Sequence, residues 1–502
     1  MMYTSTRDGK VRVPSAAAIA NGISPDGGLY VPQSIPQIDR AFIKKLAAMD
    51  YEHRAAEILS LYLTDFSYDE LLDYACKAYG GGKFSSKDRA PVRSLGENAY
   101  VLELWRGPTC AFKDMALQIL PFLLTASCRK IGSDKTRVIL VATSGDTGKA
   151  ALEGFRDVPG TRILVFYPCD GVSNMQKLQM ATQEGANVGV AAIRGNFDDA
   201  QNGVKAIFTN ASIKDAFDKN GCAFSSANSI NWGRLVPQIV YYFSAYCDLM
   251  NKGAIEPGDK INFTVPTGNF GDILAAWYAA AMGLPVNRLI CASNANNVLT
   301  DFLETGVYDR NRRFYTTCSP SMDILISSNL ERLLFMLAGY DDARVRDWFG
   351  CLAENGKYTV GTDVMKRING VFEQGYCDDK QTKNTISRIF RERNYLCDTH
   401  TGVAFNVYYQ YRARTGDSTP TVIASTASPF KFPAAVLDAI KYAGTLEGTY
   451  DDEFAAIRQL EQATGISAPV QLSSLEGREP RFTGVYDREE MSRVVLDMLG
   501  IG

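Results

Sequence analysis

Short apolar runs rich in β-branched residues recur through the middle of this 502-residue chain. RVILVAT (137–143), TRILVFYP (161–168), NVGVAAI (187–193), KINFTVP (260–266), RLICAS (288–293) and TVIAST (421–426) read as strands. Between several of them the apolar period moves toward 3.6, which predicts helices over 174–183, 198–208 and 235–250. Strands that are apolar on both faces and alternate with helices belong to parallel sheets covered on both sides. The pattern from about residue 93 is therefore α/β, with two such units. Ahead of it, a turn-rich SPDGGLYVP (24–32) precedes helical patterns over 42–49, 52–63 and 68–79. The tract GGGKFSSKDRAP (80–91) reads as a linker that closes this first block. Beyond residue 340 the pattern is largely helical, and no internal repeat is visible.

Composition narrows the function classes. A chain of this length exceeds one hydrophobic core, so two or three domains are expected. Lys and Arg number 53 against 56 Asp and Glu, a net charge of −3, which speaks against a nucleic-acid surface but leaves room for a small anion pocket. No apolar run reaches the roughly 18 residues of a membrane span. The longest greasy stretch, 115–128, is broken by Gln118 and Pro121. The opening MMYTSTRDGK lacks the apolar centre of a signal peptide. Eleven scattered cysteines without a C-x-x-C pair read as reduced, mostly buried thiols of a cytoplasmic protein. With only His53 and His400, no metal site is expected, and proton transfer falls to another kind of side chain.

Five segments carry candidate chemistry. In GPTCAFKDMALQIL (107–120), Lys113 opens a helical pattern among Ala111, Phe112, Met115 and Ala116. An amine in such a dry setting loses its proton more readily, as an aldehyde-bonding lysine must; a solvated surface lysine is the plainer alternative. PTGNFGDIL (266–274) follows a strand and opens a helix, so Gly268 and Gly271 let backbone N–H groups approach a phosphate; a plain strand-to-helix turn is the alternative. It is neither the phosphate loop of nucleotide-triphosphate enzymes nor a dinucleotide fingerprint. ATSGDTGKAA (142–151) could hold a carboxylate through Ser144, Thr147 and backbone N–H groups, with Asp146 alternatively a helix cap. ANSINWGRLVPQ (227–238) offers Asn231 and Arg234 to an anion, or a capped helix with an exposed arginine. IASTASPFKFP (423–433) places the neutral hydroxyl of Thr426 at a strand's carboxyl end, or forms an ordinary Ser/Thr turn.

Taken in order, GPT-x-AFKD, ATSGDTG, NSINWGR, PTGNFGD and STA-x-P-x-KF resemble the threonine synthase family of pyridoxal-phosphate enzymes of fold type II. STRDG, ISPDGGLYVP (23–32) and GVSNMQKLQM (171–180) match its longer subfamily, which has an additional N-terminal domain, and the likeness runs over nearly the whole chain. The resemblance implies an α/β fold of two parallel-sheet domains. Residues 1–92 would form the mainly helical N-terminal domain, 135–250 the small domain, and 93–134 with 251–502 the large cofactor domain. It implies that Lys113 is the Schiff-base lysine and that Gly268, Asn269, Phe270, Gly271 and Asp272 cradle the cofactor phosphate. Thr426 would face the pyridine nitrogen. Ser144, Gly145, Asp146, Thr147 and Gly148 would lie near the substrate carboxylate and the cofactor hydroxyl, and Asn231 and Arg234 near the substrate phosphate. Two positions depart from the pattern: Arg106 and Ser428 stand where the family often has histidine. A cationic Arg106 is expected to help bind an anionic substrate.

The activity implied is the last step of threonine biosynthesis, a carbon–oxygen lyase reaction that turns O-phospho-L-homoserine and water into L-threonine and phosphate. Lys113 would carry the proton, a role that the scarcity of histidine leaves to lysine. The alternative is a related phospholyase or dehydratase that releases a 2-keto acid from the same apparatus. A non-catalytic binding protein on this fold is disfavoured by intact Lys113, TGNFGD and Thr426. A small-molecule substrate, a monomer or homodimer, and no nucleic-acid or membrane partner complete the expectation.

Overall fold

Two sheets organise the chain in the computed structural model, which describes residues 1–143, 145–169, 172–441 and 452–501. The larger has six strands in the spatial order Phe372–Tyr376, Val286–Ser293, Ile261–Pro266, Thr421–Ser425, Ala99–Glu103 and Val92–Gly96. All neighbours are parallel except the last pair. The smaller has five parallel strands, Val485–Tyr486, Val188–Ile193, Thr161–Pro168, Thr136–Ala142 and Cys222–Ser225. Every residue of Ile261–Pro266, Thr421–Ser425 and Val188–Ile193 is buried, which explains their largely apolar character.

The first block carries a small antiparallel sheet, Val13–Pro14, Met2–Ser5 and Tyr30–Pro32, and the helices Arg40–Ala47, Tyr51–Tyr62 and Tyr68–Tyr79. Ser67 and Glu70 close a capping box that starts the last of these. The block shares one core with the rest of the chain: Tyr3, Tyr62 and Tyr278 surround the Trp232 ring at 5.4–5.6 Å. Arg54 pairs with Asp248 at 2.7 Å, and Arg7 makes two bonds to Glu331 at 2.8 and 2.9 Å.

Three features differ from the sequence reading. The tract 80–91 is not a free tether. Phe84 and Ala90 are buried, Ser85 donates to the Arg106 carbonyl, and Arg89 pairs with Glu52. Helix Trp232–Asn251, assigned to the small domain, instead packs against helices Tyr51–Tyr62 and Gly271–Met282 in the main core, because nearly all its residues are buried. Residues 251–502 do not all belong to the larger sheet. Val485–Tyr486 pairs with Ala192–Ile193 at the edge of the smaller one, and Met491, Val494 and Val495 of helix Met491–Leu499 fill its core. The exposed edge of Val188–Ile193 is thereby covered by the returning chain. Among the described residues no helix is long and apolar enough to cross a membrane. The eleven cysteines are free thiols, seven of them buried.

Candidate active site

Strands Ile261–Pro266 and Thr421–Ser425 are parallel neighbours, so the residues that follow them emerge at the same edge of the larger sheet. Open α/β sheets bind ligands at that edge. The segment that follows Ala99–Glu103 returns to it. Phe112 N donates to Thr426 O at 2.7 Å, Ser428 N donates to Cys110 O at 3.0 Å, and Ala111 bridges Ala427. These bonds fix Lys113, at the start of helix Asp114–Leu117, beside Thr426.

Lys113 is 9% exposed, and its amine lies 4.7 Å from the centre of the Phe112 ring. It makes no hydrogen bond among the described residues; the nearest carboxylate oxygen, Asp146 Oδ2, is 3.8 Å away. Burial lowers its pKa to about 8. Asp146 and Asp272 oppose that shift, while Arg234 and Lys431 add to it. Thr426 is 6% exposed, and its hydroxyl has no hydrogen-bond partner among the described residues.

The glycine turn is built for close approach. A Cβ on Gly268 would lie 2.8 Å from Ser321 O, so a side chain has no room there. Phe270 holds φ +62°, and its ring packs 5.8 Å from Phe372, so what Phe270 offers the turn is its backbone. Gly268 O accepts from Ser327 Oγ, and Asn269 O accepts from Asn329 Nδ2 and N. Helix Gly271–Met282 then begins, and its first N–H groups have no acceptor within the helix. The Asp272 carboxylate accepts from the Tyr241 and Tyr242 hydroxyls, and burial raises its pKa to about 6. A carboxylate repels a phosphate, so the group this residue can offer is its backbone N–H.

The smaller sheet contributes the turn after Thr136–Ala142. Thr143 Oγ1 accepts from Gly145 N and Gly148 N, both at 3.0 Å, and Gly145 holds φ +135° with Gln176 packed where a Cβ would stand. Asp146 is the first residue of helix Asp146–Phe155, with Gly145 as its cap. Burial pushes the Asp146 carboxyl up, but Lys431 and Lys113 outweigh it and hold the group well below the usual carboxylate range. Ser144 lies outside the described residues.

Arg234 is buried and is paired with no carboxylate among the described residues. It donates to Ala227 O at 2.9 Å and lies 3.5 Å from Thr147 Oγ1. Burial lowers its pKa to about 10. A buried guanidinium without a counter-ion is prepared for an anion. Asn231 is different. It caps helix Trp232–Asn251 by accepting from Gly233 N, and its amide donates to Ile19 O and Ser226 O. Both its N–H groups are spent, so the expected phosphate contact gives way to the capping alternative. Arg106 is also paired: its Nε and Nη2 donate to Glu103 Oε2 and its guanidinium lies 4.2 Å from the Trp105 ring centre, so its charge is already balanced by a carboxylate. Ser428 caps the short turn Pro429–Lys431 by accepting from Phe430 N.

Two residues that the sequence reading passed over belong to this site. Lys431, 0% exposed, donates to Thr109 O at 3.0 Å and pairs with Asp146 Oδ1 at 2.7 Å. Its setting between Phe430 and Phe432 is the same signal that singled out Lys113. His400 bonds Asp398 through Nδ1 at 2.7 Å and accepts from Ser321 N through Nε2 at 3.1 Å, which pins the segment resting on Gly268. A lone histidine in the sequence carried no such signal.

An amine that yields its proton, a tight turn with unpaired N–H groups and a neutral hydroxyl fit an aldehyde cofactor with a phosphate tail. The comparisons agree. A family model described as pyridoxal-phosphate dependent enzyme matches residues 88–427; models for the threonine synthase N terminus and C-terminal region match 2–79 and 401–495. Threonine synthase of Corynebacterium glutamicum is 37% identical over 487 residues, covering 95% of this chain and 96% of that one. Human threonine synthase-like 1 is 38% identical over 434 residues, which span 84% of this chain but 58% of that protein's length. Crystal structures of threonine synthase from Brucella melitensis with pyridoxal phosphate bound and from yeast superpose with TM-scores of 0.86 and 0.88. Their identities are 35% and 32%, and each match covers 99% of both chains. With family model, relatives and fold in agreement, this chain belongs to the threonine synthase family, pyridoxal-phosphate-dependent enzymes of fold type II with an N-terminal threonine synthase domain.

Proposed function

We propose that the chain is a threonine synthase that converts O-phospho-L-homoserine and water into L-threonine and phosphate. The observation that carries this reading is the buried, unbonded amine of Lys113 at the sheet edge shared by the TGNFGD turn and Thr426. Lys113 would hold the cofactor, with the backbone of Gly268 to Asp272 on its phosphate and the Thr426 hydroxyl toward its ring nitrogen. When bound, pyridoxal phosphate supplies an aldehyde for amines and a conjugated ring that spreads charge from the substrate carbons.

The chain's own residues do the rest. Lys113 Nζ, with its pKa lowered to about 8, takes the proton from the substrate α-carbon and later returns one. Arg234, with Thr147 beside it, holds an anionic group of the substrate. Asp272, held by two tyrosine hydroxyls, sets the field at the start of the phosphate helix. The segment Pro320–Met322 packs against Gly268 and fixes the shape of the glycine turn. Residues 135–226, with the returning C-terminus, form the smaller body that faces the cofactor body across the site. Incubation with O-phospho-L-homoserine followed by product analysis tests the proposal: equal release of threonine and phosphate is expected. 2-Ketobutyrate without threonine would assign the chain to the phospholyase alternative.

A further inference from the structure

Asp146 stands at the carboxyl edge of the smaller sheet, while Lys431 and Lys113 stand at the carboxyl edge of the larger one. The Asp146 carboxylate therefore reaches from one body to the other. Oδ1 is held by Lys431 Nζ at 2.7 Å and Gln176 Nε2 at 2.9 Å. Oδ2 accepts from Ser321 Oγ at 3.4 Å and remains 3.8 Å from Lys113 Nζ. In a dry setting an uncommitted carboxylate beside an amine draws it into a short ion pair. An amine held as ammonium can neither bond an aldehyde nor take a proton from carbon.

Lys431 is fully enclosed, and its other partner is the Thr109 carbonyl, five residues before Asp114 on the segment that carries Lys113. Burying a charged lysine is costly unless it is paired. Here the pairing acid is also the acid that faces the reactive amine.

We propose that Lys431 is a positioning residue for the chemistry of Lys113: it claims the Asp146 carboxylate and so leaves the Lys113 amine free to react. The inference rests on Lys113 being the lysine that bonds the cofactor. Four charged groups face the Lys113 amine, namely Asp146, Asp272, Arg234 and Lys431. Two of them act with opposite sign in the test. Without Lys431, the acid has Lys113 as its remaining cation, and the ammonium form is favoured. Without the acid, Lys113 faces Lys431 and Arg234 unopposed at that side, and the neutral form is favoured.

The test uses the full-length chain freed of cofactor and trace acetylation across a pH series. Mass spectrometry reads Lys113 relative to exposed Lys10. Lys431→Met is expected to move the Lys113 midpoint upward by about one unit or more, and Asp146→Asn to move it downward. A pair that merely holds the bodies together would shift both variants the same way as water enters, and that result overturns the proposal. An unmoved midpoint in Lys431→Met overturns it as well. If Lys431→Met alone does not fold, Lys431→Gln decides, because it removes the charge that holds the Asp146 carboxylate while keeping an N–H that can reach Thr109 O. Its midpoint must lie above that of the unsubstituted chain, and equal midpoints reject the role. Mapping the cofactor to another lysine removes the premise, a failure distinguishable from an unshifted midpoint.

Discussion

Replacing Lys113 with methionine should stabilise the cofactor-free protein, by an amount that depends on pH. The folded chain holds the Lys113 amine at a pKa of about 8, against 10.5 for an ordinary lysine. The folded-state value is the lower one, so the unfolded chain binds the proton more tightly. Below pH 8 both states are protonated and the full penalty of burying the charge is present. It fades as pH rises from 8 to 10.5 and is gone above that range, where both states are neutral. At about 1.4 kcal/mol per pKa unit, the penalty is about 3 kcal/mol at pH 7 and about 1 kcal/mol at pH 10. Lys113→Met keeps the volume and removes the charge. Denaturant unfolding of the two cofactor-free proteins at pH 7 and pH 10 should show the variant ahead at pH 7, with the gap shrinking by about 2 kcal/mol at pH 10. A gap of equal size at both pH values would refute the reasoning, because a depressed lysine cannot yield a pH-independent difference.

Other substitutions separate binding from scaffold. Arg234→Ala removes the buried guanidinium that has no carboxylate partner among the described residues and should raise the KM for O-phospho-L-homoserine by about 10- to 100-fold, the range of one charge-assisted contact; an unchanged KM would exclude it from substrate binding. Asn231→Ala should leave KM near its original value while costing about 3 kcal/mol or more in denaturant unfolding, through the lost cap and two stranded carbonyls. Arg106→Ala should likewise leave KM unchanged, since Glu103 already occupies its guanidinium. Gly268→Ala drives a Cβ to 2.8 Å from Ser321 O and should weaken pyridoxal-phosphate retention during dialysis, read by visible absorbance; full retention would remove the turn from the cofactor site.

The parts of this fold legible in the sequence are those where burial writes a regular apolar pattern, a nearly continuous run in a strand or a 3.6-residue period in a helix. Strand Thr161–Pro168 and helix Tyr68–Tyr79 fall where the pattern places them. Strands Ala99–Glu103, Cys222–Ser225 and Phe372–Tyr376 leave no clear pattern because they are short and carry polar residues, and sheet position decides them more than local pattern. The C-terminal return to the smaller sheet rests on a two-residue strand, too short for any periodicity. At the site, glycine spacing and the apolar neighbours of Lys113 were readable. What a side chain had already bonded was not. Asn231 and Arg106 look like anion ligands in one dimension; in three the Asn231 amide donates to Ile19 and Ser226, and the Arg106 charge is balanced by Glu103. Lys431 lies 285 positions beyond Asp146, and only folding brings them together.

Borohydride reduction of the purified protein with pyridoxal phosphate bound, followed by peptide mapping, tests the central claim most directly, because reduction makes the bond to the cofactor permanent. The account predicts a single pyridoxyl group, on Lys113. A pyridoxyl group on Lys431, the buried lysine that shares Asp146 with it, or on any other lysine would contradict the account.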